Sequence, residues 1–184
     1  MVLDLLEGKN VNLTIVEKED LPLLKEWRNN IEFIGEYQSI SQKTIRDLEK
    51  EYDELTEGQW FFIEKKDGTK IGTISYRPVF TTQEIGYALL PTERGKSYCS
   101  EAVKIMVDYL FLSKNIVRIQ AHTDARNMAS QRVLEKIGFK KEGTFRKELF
   151  VRGEWRDSCT FSILREEWKE PTILTKTNWD SETV

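Results

Sequence analysis

Cysteine and histidine are scarce in this sequence, which restricts the kinds of site it can build. The 184 residues contain two cysteines, Cys99 and Cys159, and one histidine, His122. The two cysteines lack the spacing of metal ligands and argue against a disulfide framework. One histidine leaves little material for a zinc site or a Ser-His-Asp triad, so no metal is expected. His122 lies in an alternating segment, residues 117–123, and is interpreted as a hydrogen-bonded strand residue.

Long apolar runs and an excess of one charge are also lacking. No run is long enough to cross a bilayer, and Asp4 and Glu7 interrupt the short apolar stretch at the N-terminus, where a signal peptide would need it continuous. We therefore expect a cytoplasmic protein without a membrane partner. The formal net charge of −3, from 28 basic and 31 acidic residues, argues against direct nucleic-acid binding by the whole surface.

The length predicts a single domain. Residues 1–168 carry the periodic segments, and a chain of 184 residues can bury a substantial core. Residues 169–184 are polar and lack periodicity, so we expect them to form a flexible C-terminal tail.

Hydrophobic periodicity predicts a mixed α/β fold with seven strands. The predicted strands are residues 11–16, 60–64, 70–76, 83–90, 117–123, 139–151 and 154–164. The spacing of apolar residues also predicts four helices. The first follows Asp20, the second runs from an N-cap at Ser41 to Gly58, the third covers residues 97–112, and the fourth starts near Asn127 and ends at a left-handed cap at Gly138. This order predicts a mixed, mostly antiparallel sheet with helices on both faces.

The turn between the fourth strand and the long helix carries Arg94, Gly95 and Lys96. A turn that opens a helix leaves several backbone N–H groups unpaired, and the helix dipole places partial positive charge there. Gly95 permits a ligand to approach the main chain closely. These features indicate a phosphate or pyrophosphate site, although a solvated basic turn would look the same in this window alone.

Short motifs follow one another in a definite order around this turn. They are Glu84-Ile85-Gly86-Tyr87, the turn from Arg94 to Cys99, Asn127-Met128-Ala129-Ser130, Leu134-Glu135-Lys136-Ile137-Gly138-Phe139, Glu142-Gly143 and Gly153-Glu154-Trp155-Arg156-Asp157. The series, over residues 8–168, resembles the GNAT N-acetyltransferase superfamily and its RimJ/RimL-type branch, which acetylates protein N-termini. The turn resembles the acyl-CoA pyrophosphate loop of that family, Arg/Gln-x-x-Gly-x-Gly/Ala. Ser97 and Cys99 depart from it, because they stand where small Gly or Ala residues are usual.

The resemblance implies the GNAT-type seven-stranded sheet, in which the fourth and fifth strands splay apart and admit the pantetheine arm of acetyl-CoA. The residues it implies for cofactor binding, mainly through main-chain groups, are Tyr87, Ala88, Leu89, Arg94, Gly95, Lys96, Ser97, Tyr98, Cys99 and Asn127. A main-chain N–H between Tyr87 and Leu89 is expected to polarise the thioester carbonyl.

The two departures from the loop pattern have physical consequences. If Ser97 needs a positive φ, its side chain costs roughly 1–2 kcal/mol relative to glycine. Cys99, near a helix start, would have a reactive thiol if its pKa were lowered there. The alternative, which we favour, is that Cys99 is a small buried residue packed behind the loop.

Two residues are implied for catalysis. Glu84, at the entry of the fourth strand, is the first candidate for the base, with a salt-bridged strand carboxylate as the equal alternative. Glu148, beside Leu149 on the sixth strand, is a reserve candidate, and an amine that arrives neutral needs no base. Ser130 is the candidate proton donor to the leaving sulfur, although Asn127 and Ser130 are also good first-turn residues of a helix.

The predicted function is acetyl transfer from acetyl-CoA to a primary amine by direct attack in a ternary complex. A protein or peptide N-terminus is the favoured acceptor. The resemblance implies that residues 31–40 help to form one wall of its site, with core packing beneath a loop as the equal alternative. The alternatives are a small amine such as a polyamine or aminoglycoside, or a CoA-binding sensor without activity. The chain is expected to be a monomer or a homodimer.

Overall fold

A seven-stranded sheet dominates the structure, a computed structural model that describes residues 6–169. The predicted tail lies outside the described residues apart from Lys169. The strands are β1 (Val11–Ile15), β2 (Gln59–Lys65), β3 (Lys70–Val79), β4 (Thr82–Leu89), β5 (Arg118–Asp124), β6 (Lys140–Val151) and β7 (Glu154–Leu164). The helices are α1 (Leu21–Arg28), α2 (Ile31–Ile34), α3 (Ile45–Asp53), α4 (Tyr98–Ser113) and α5 (Met128–Ile137). None of the helices in this part of the chain is long and apolar enough to span a bilayer.

The strand order is β1-β2-β3-β4-β5-β7-β6, and every neighbouring pair is antiparallel except β4 and β5. These two parallel strands pair only at Gln83 with Ile119 and at Glu84 with Gln120. Beyond Glu84 they separate, so the predicted mixed sheet and the predicted splay between strands four and five are confirmed.

Alternation along β2 builds a core on each face of the sheet. Phe61 and Ile63 pack on the side covered by α4 and α5, whereas Trp60 and Phe62 pack on the side covered by α1, α2 and α3. Successive side chains of a strand point to opposite faces, so a continuous apolar run such as Trp60-Phe61-Phe62-Ile63 fits a strand buried on both sides. The prediction of helices on both faces is therefore confirmed.

The segment between α1 and β2 differs from expectation. Ser41 does not cap the second predicted helix; Thr44 does, and its hydroxyl accepts a hydrogen bond from the Asp47 main chain while Asp47 bonds back to Thr44. This reciprocal capping box satisfies two otherwise unpaired donors, which a serine three residues earlier could not do. The helix ends at Asp53 rather than at Gly58. The short helix α2, capped by Asn30, was not predicted.

β3 packs closely against β4 at Gly72, and this packing, in the sheet beside the opening between β4 and β5, can be tested. A Cβ built on Gly72 would lie 2.3 Å from the Ala88 carbonyl oxygen and 2.7 Å from Leu89 Cδ2. Gly72→Ala must push β4 away, so we expect it to lower the free energy of unfolding by about 1–3 kcal/mol or more.

The matched control is Gly143→Ala on β6, where no atom lies within 4 Å of the added Cβ. Its unfolding free energy in urea should stay within about 0.5 kcal/mol of the parent. Equal stability of the two variants would show that β3 and β4 are not as tightly packed as described.

Candidate active site

A cleft of about 520 Å³ opens where β4 and β5 separate. Eight of the residues predicted to form the site line it: Tyr87, Ala88, Leu89, Arg94, Gly95, Cys99, Asn127 and Ser130. Four predicted residues do not line it: Glu84, Lys96, Ser97 and Tyr98. The fold thus gathers one strand edge, one turn and one helix start from distant parts of the sequence around a single opening.

The open edge of β4 presents main-chain groups to this cleft. The Leu90 N–H donates to the Ile71 carbonyl of the β3 side at 2.9 Å, so the even-numbered residues of β4 direct their main-chain groups to β3. Because the hydrogen-bonding direction alternates along a strand, the main-chain groups of Tyr87 and Leu89 point towards β5. The two strands no longer pair at these residues. The Leu89 carbonyl accepts from Arg94 Nε at 3.2 Å. The main-chain groups of Ala88, in contrast, point to β3.

Two left-handed residues shape the turn that follows β4. Gly95 has φ 78° and Ser97 has φ 65°, so both positions favour glycine. Ser97 is the N-cap residue of α4, and no side chain of residues 6–169 caps that helix. Its first-turn N–H groups, which have no acceptor within a helix, therefore remain available at the positive end of the helix dipole. Ser97 holds this conformation at a cost of about 1–2 kcal/mol.

The cationic side chains of the turn are already engaged. Arg94 Nη2 donates to the carbonyls of Glu32 and Phe33 on α2, both at 3.1 Å. Lys96 forms an exposed ion pair with Glu93 at 3.2 Å. The guanidinium of Arg94 consequently fastens α2 to the turn.

A tyrosine–serine pair bridges the cleft from β4 to α5. The Tyr87 hydroxyl lies 3.0 Å from Ser130 Oγ, and Asn127 Oδ1 accepts from the Ser130 N–H at 3.1 Å. Asn127 therefore caps α5, which was the structural alternative to a role in the site. It also lines the cleft. Burial raises the pKa of Tyr87, so its phenol stays protonated and can donate a hydrogen bond.

Glu84 stands at the point where β4 and β5 part, beside rather than in the cleft. Its Oε1 accepts from Arg77 Nη2 at 2.6 Å and from Arg77 Nε at 3.1 Å. Its Oε2 accepts from Gln120 at 3.2 Å and lies 3.5 Å from His122 Nε2. His122 lines the cleft, which its interpretation as an ordinary strand residue had not anticipated.

The reserve candidate Glu148 is not at the opening. Leu149 lines the cleft, whereas the Glu148 carboxylate accepts a hydrogen bond from the Ser158 hydroxyl. A bulge between Phe145 and Leu149, with Lys147 at φ 53°, sets which side chain faces inward.

Arginines fix the wall opposite β4, a feature that was missed in the sequence. The loop after α2 is held by Arg152, which donates to the Gly35 carbonyl at 2.7 Å, and by Arg156, which donates to the Glu36 carbonyl at 2.8 Å. Arg156 also contacts Asp124, whose side chain has no exposed surface, at 3.3 Å. The contacts of Arg152 with Gly35 and of Arg156 with Glu36 join residues more than 100 positions apart, so no local pattern could have signalled them.

Clusters of metal ligands are not found in the described residues. No group of three or more His, Cys, Asp or Glu side chains in residues 6–169 is arranged to hold a metal ion. The described residues that line the cleft include hydroxyls, main-chain groups, one imidazole, the carboxylates of Glu36 and Asp124, and Arg94.

Cys99 packs against the core behind the turn, as the favoured interpretation expected, and its thiol supplies a test. Burial raises the pKa of its thiol from 9.0 to about 12, so the thiol is not activated by the helix start. At pH 8 the thiolate should be about a thousandfold scarcer than at a free cysteine of the same reference pKa. We expect native Cys99 to resist iodoacetamide, with alkylation rising about tenfold per pH unit between pH 8 and 10.

Mass spectrometry of the alkylated protein measures this directly. Protein unfolded in guanidinium is the control, and both Cys99 and Cys159 should react there. Native Cys99 that reacts at pH 8 as fast as in the unfolded chain would contradict its packing behind the turn.

Comparisons with known proteins agree with this geometry. The sequence model of a family described as the acetyltransferase (GNAT) domain matches residues 10–140. The "Probable N-acetyltransferase YjcK" of Bacillus subtilis (strain 168) is 32% identical over 178 residues, covering 89% of this chain and 98% of that protein.

Solved structures show the same architecture. The ribosomal-protein-S5-alanine acetyltransferase from Vibrio fischeri has a TM-score of 0.78 at 25% identity, covering 89% of this chain and 98% of that one. The spermidine N-acetyltransferase from Vibrio cholerae in complex with CoA and spermine has a TM-score of 0.79 at 22% identity, covering 87% and 98%. The chain described here belongs to the GNAT family and is an N-acetyltransferase.

Proposed function

We propose that this N-acetyltransferase transfers an acetyl group from acetyl-CoA to the α-amine of a protein or peptide N-terminus. The observation that carries the choice of acceptor is the charge of the cleft. Of the two carboxylates that line it, Asp124 is paired with Arg156 at 3.3 Å, whereas Glu36 has no arginine or lysine ion pair within residues 6–169. The Glu36 carboxylate is thus available to pair with the single charge of an N-terminal ammonium group, while the Arg94 guanidinium, which also lines the cleft, is bound to carbonyls.

Cofactor binding is assigned to the turn and to the open edge of β4. GNAT acetyltransferases use acetyl-CoA, and the Vibrio cholerae neighbour was solved with CoA. The diphosphate would be held by main-chain N–H groups from Gly95 to Cys99, with Lys96 adding charge. The pantetheine amides would pair with the main chain of Tyr87 and Leu89, much as an added strand pairs with a sheet edge. Asn127 faces the same arm across the cleft.

The side chains of the remaining turn residues support this arrangement, and of these only Cys99 lines the cleft. Tyr98 packs against the core under α4, and Ser97 sets the left-handed bend that aims the helix start outward. Cys99 packs behind the turn as a small residue. Ala88 has no role in this arrangement, because its main-chain groups are directed to β3.

The chemistry needs an aligned amine, a polarised carbonyl and a protonated leaving group. A main-chain N–H of Tyr87 or Leu89 stabilises the charge that develops on the thioester oxygen, a contribution of several kcal/mol in such sites, on the order of 3. Ser130, hydrogen-bonded to Tyr87, gives its hydroxyl proton to the departing thiolate. The proton of the amine leaves towards the pair formed by Glu84 and His122.

A polyamine is the second candidate acceptor, because the Vibrio cholerae neighbour holds spermine. At neutral pH a polyamine carries several ammonium groups, each of which needs a carboxylate partner in a low-dielectric cleft. The pairing of Asp124 with Arg156 and of Glu84 with Arg77 leaves Glu36 as the one lining carboxylate without such a partner in the described chain.

Thiol release measured over a panel of acceptors tests the proposal. The panel holds peptides that differ in their first residues, the same peptides with a blocked N-terminus, spermidine, and an aminoglycoside. We expect acceptor-dependent release of CoA with free N-termini only. Because Glu36 is the unpaired carboxylate, Glu36→Gln should raise the peptide KM by about 5- to 10-fold, equivalent to about 1–1.4 kcal/mol.

The outcomes separate the candidates. Spermidine turned over faster than every peptide would replace the proposed acceptor by a polyamine. CoA binding with no turnover of any amine would contradict the proposed reaction.

A further inference from the structure

The single histidine of the chain lies where β4 and β5 part, on the wall of the cleft. Its Nδ1 is 3.2 Å from Thr160 Oγ1 on β7, and its Nε2 is 3.5 Å from Glu84 Oε2 on β4. Phe145 of β6 stacks on the ring at a centroid distance of 6.2 Å. The imidazole is therefore contacted from three other strands, β4, β6 and β7, yet 29% of its side-chain surface stays exposed.

Glu84 is less able than His122 to accept a proton directly from an amine in the cleft. Arg77 occupies Oε1 with two hydrogen bonds, Gln120 donates to Oε2, and the carboxylate does not line the cleft. An amine in the cleft meets the imidazole before it meets this carboxylate.

We propose that His122 Nε2 accepts the proton of the acceptor amine, with Glu84 as the positioning residue that holds and balances the charged ring. This inference rests on the proposed acetyl transfer and identifies its proton acceptor. In the neutral ring Nδ1 carries the hydrogen and donates to Thr160, which leaves the lone pair on Nε2. Once protonated, the Nε2–H points to Glu84.

The other charges around the ring are paired among themselves. Along the same face of β5, Arg118 pairs with Glu142 at 2.5 Å, and Asp124 pairs with Arg156. Arg77, on β3, is bound to Glu84. Glu84 is thus the only charged group of the described chain within 4 Å of His122 in an ion-pair arrangement.

The proton balance of the reaction is complete with these groups. The acceptor ammonium loses one proton to His122, and the nitrogen lone pair forms the C–N bond at the thioester carbonyl. The C–S bond then breaks, and the thiolate takes a proton from Ser130. The second nitrogen proton restores Ser130 through Tyr87 or solvent, and His122 releases its proton to solvent.

His122→Gln tests the inference, because glutamine keeps a hydrogen-bonding group near Nε2 but cannot take up a proton. We expect kcat/KM for the amine to fall about 100-fold at pH 8, with the KM for acetyl-CoA changed by less than about threefold. The ratio of parent to variant rates, measured with the same acceptor so that its own ionisation cancels, should rise with pH. The midpoint of that rise should coincide with the NMR titration of the imidazole, which is unambiguous because the untagged chain has one histidine.

Glu84→Gln, alone and combined with His122→Gln in a double variant, shows whether the carboxylate acts directly or through His122. If Glu84 acts through His122, Glu84→Gln loses less activity than His122→Gln, and the double variant loses no more than His122→Gln alone. Parent-like activity of His122→Gln with a large loss in Glu84→Gln would overturn the inference and make Glu84 the base, leaving the proposed acetyl transfer intact. The comparison uses whichever amine the enzyme turns over, so a wrong acceptor does not affect it.

Discussion

The separation of β4 from β5 after only two paired residues is the constraint on which the rest of the structure depends. A strand in the middle of a sheet normally satisfies its main chain on both sides. Past Glu84, β4 is bonded to β3 alone, and the main-chain groups of Tyr87 and Leu89 face an opening. An edge of this kind, inside the molecule rather than at its margin, favours a ligand that can bond as a strand does.

The surrounding elements keep that opening from closing. Arg94 Nε binds the Leu89 carbonyl, and its Nη2 binds two carbonyls of α2, so one side chain secures both the strand end and the opposite wall. Arg152 and Arg156 hold the next part of that wall to the β6–β7 hairpin. The Tyr87–Ser130 contact spans the gap itself. These contacts, most of which are hydrogen bonds to carbonyl groups, hold the walls of the opening in place where β4 and β5 are not paired.

Local patterns were enough to predict the strands, the long helix and several special residues. The left-handed conformation of Gly138 follows from the helix end at which it stands, and that of Ser97 was considered because glycine is usual at its position in the resembled loop; both are observed. The cap of α3 is Thr44, whereas Ser41 was predicted. The reciprocal hydrogen bonds between Thr44 and Asp47 decide this, and composition alone does not show them. The pairing of His122 with Glu84, and of Asp124 with Arg156, depends on which strands become neighbours. Such contacts are set by the fold and carry no signal in short windows of sequence, so the partners of His122 and Asp124 could not be predicted.

We propose that coenzyme A lies along the open edge of β4 with its diphosphate on the turn before α4. Titrating uniformly ¹⁵N-labelled protein with coenzyme A and following the backbone amide resonances tests it directly. The amides of Tyr87, Leu89 and Gly95 to Cys99 should show the largest shifts, while those of β1, at the far edge of the sheet, stay in place. Saturable binding that leaves Tyr87, Leu89 and the turn unshifted would contradict the account.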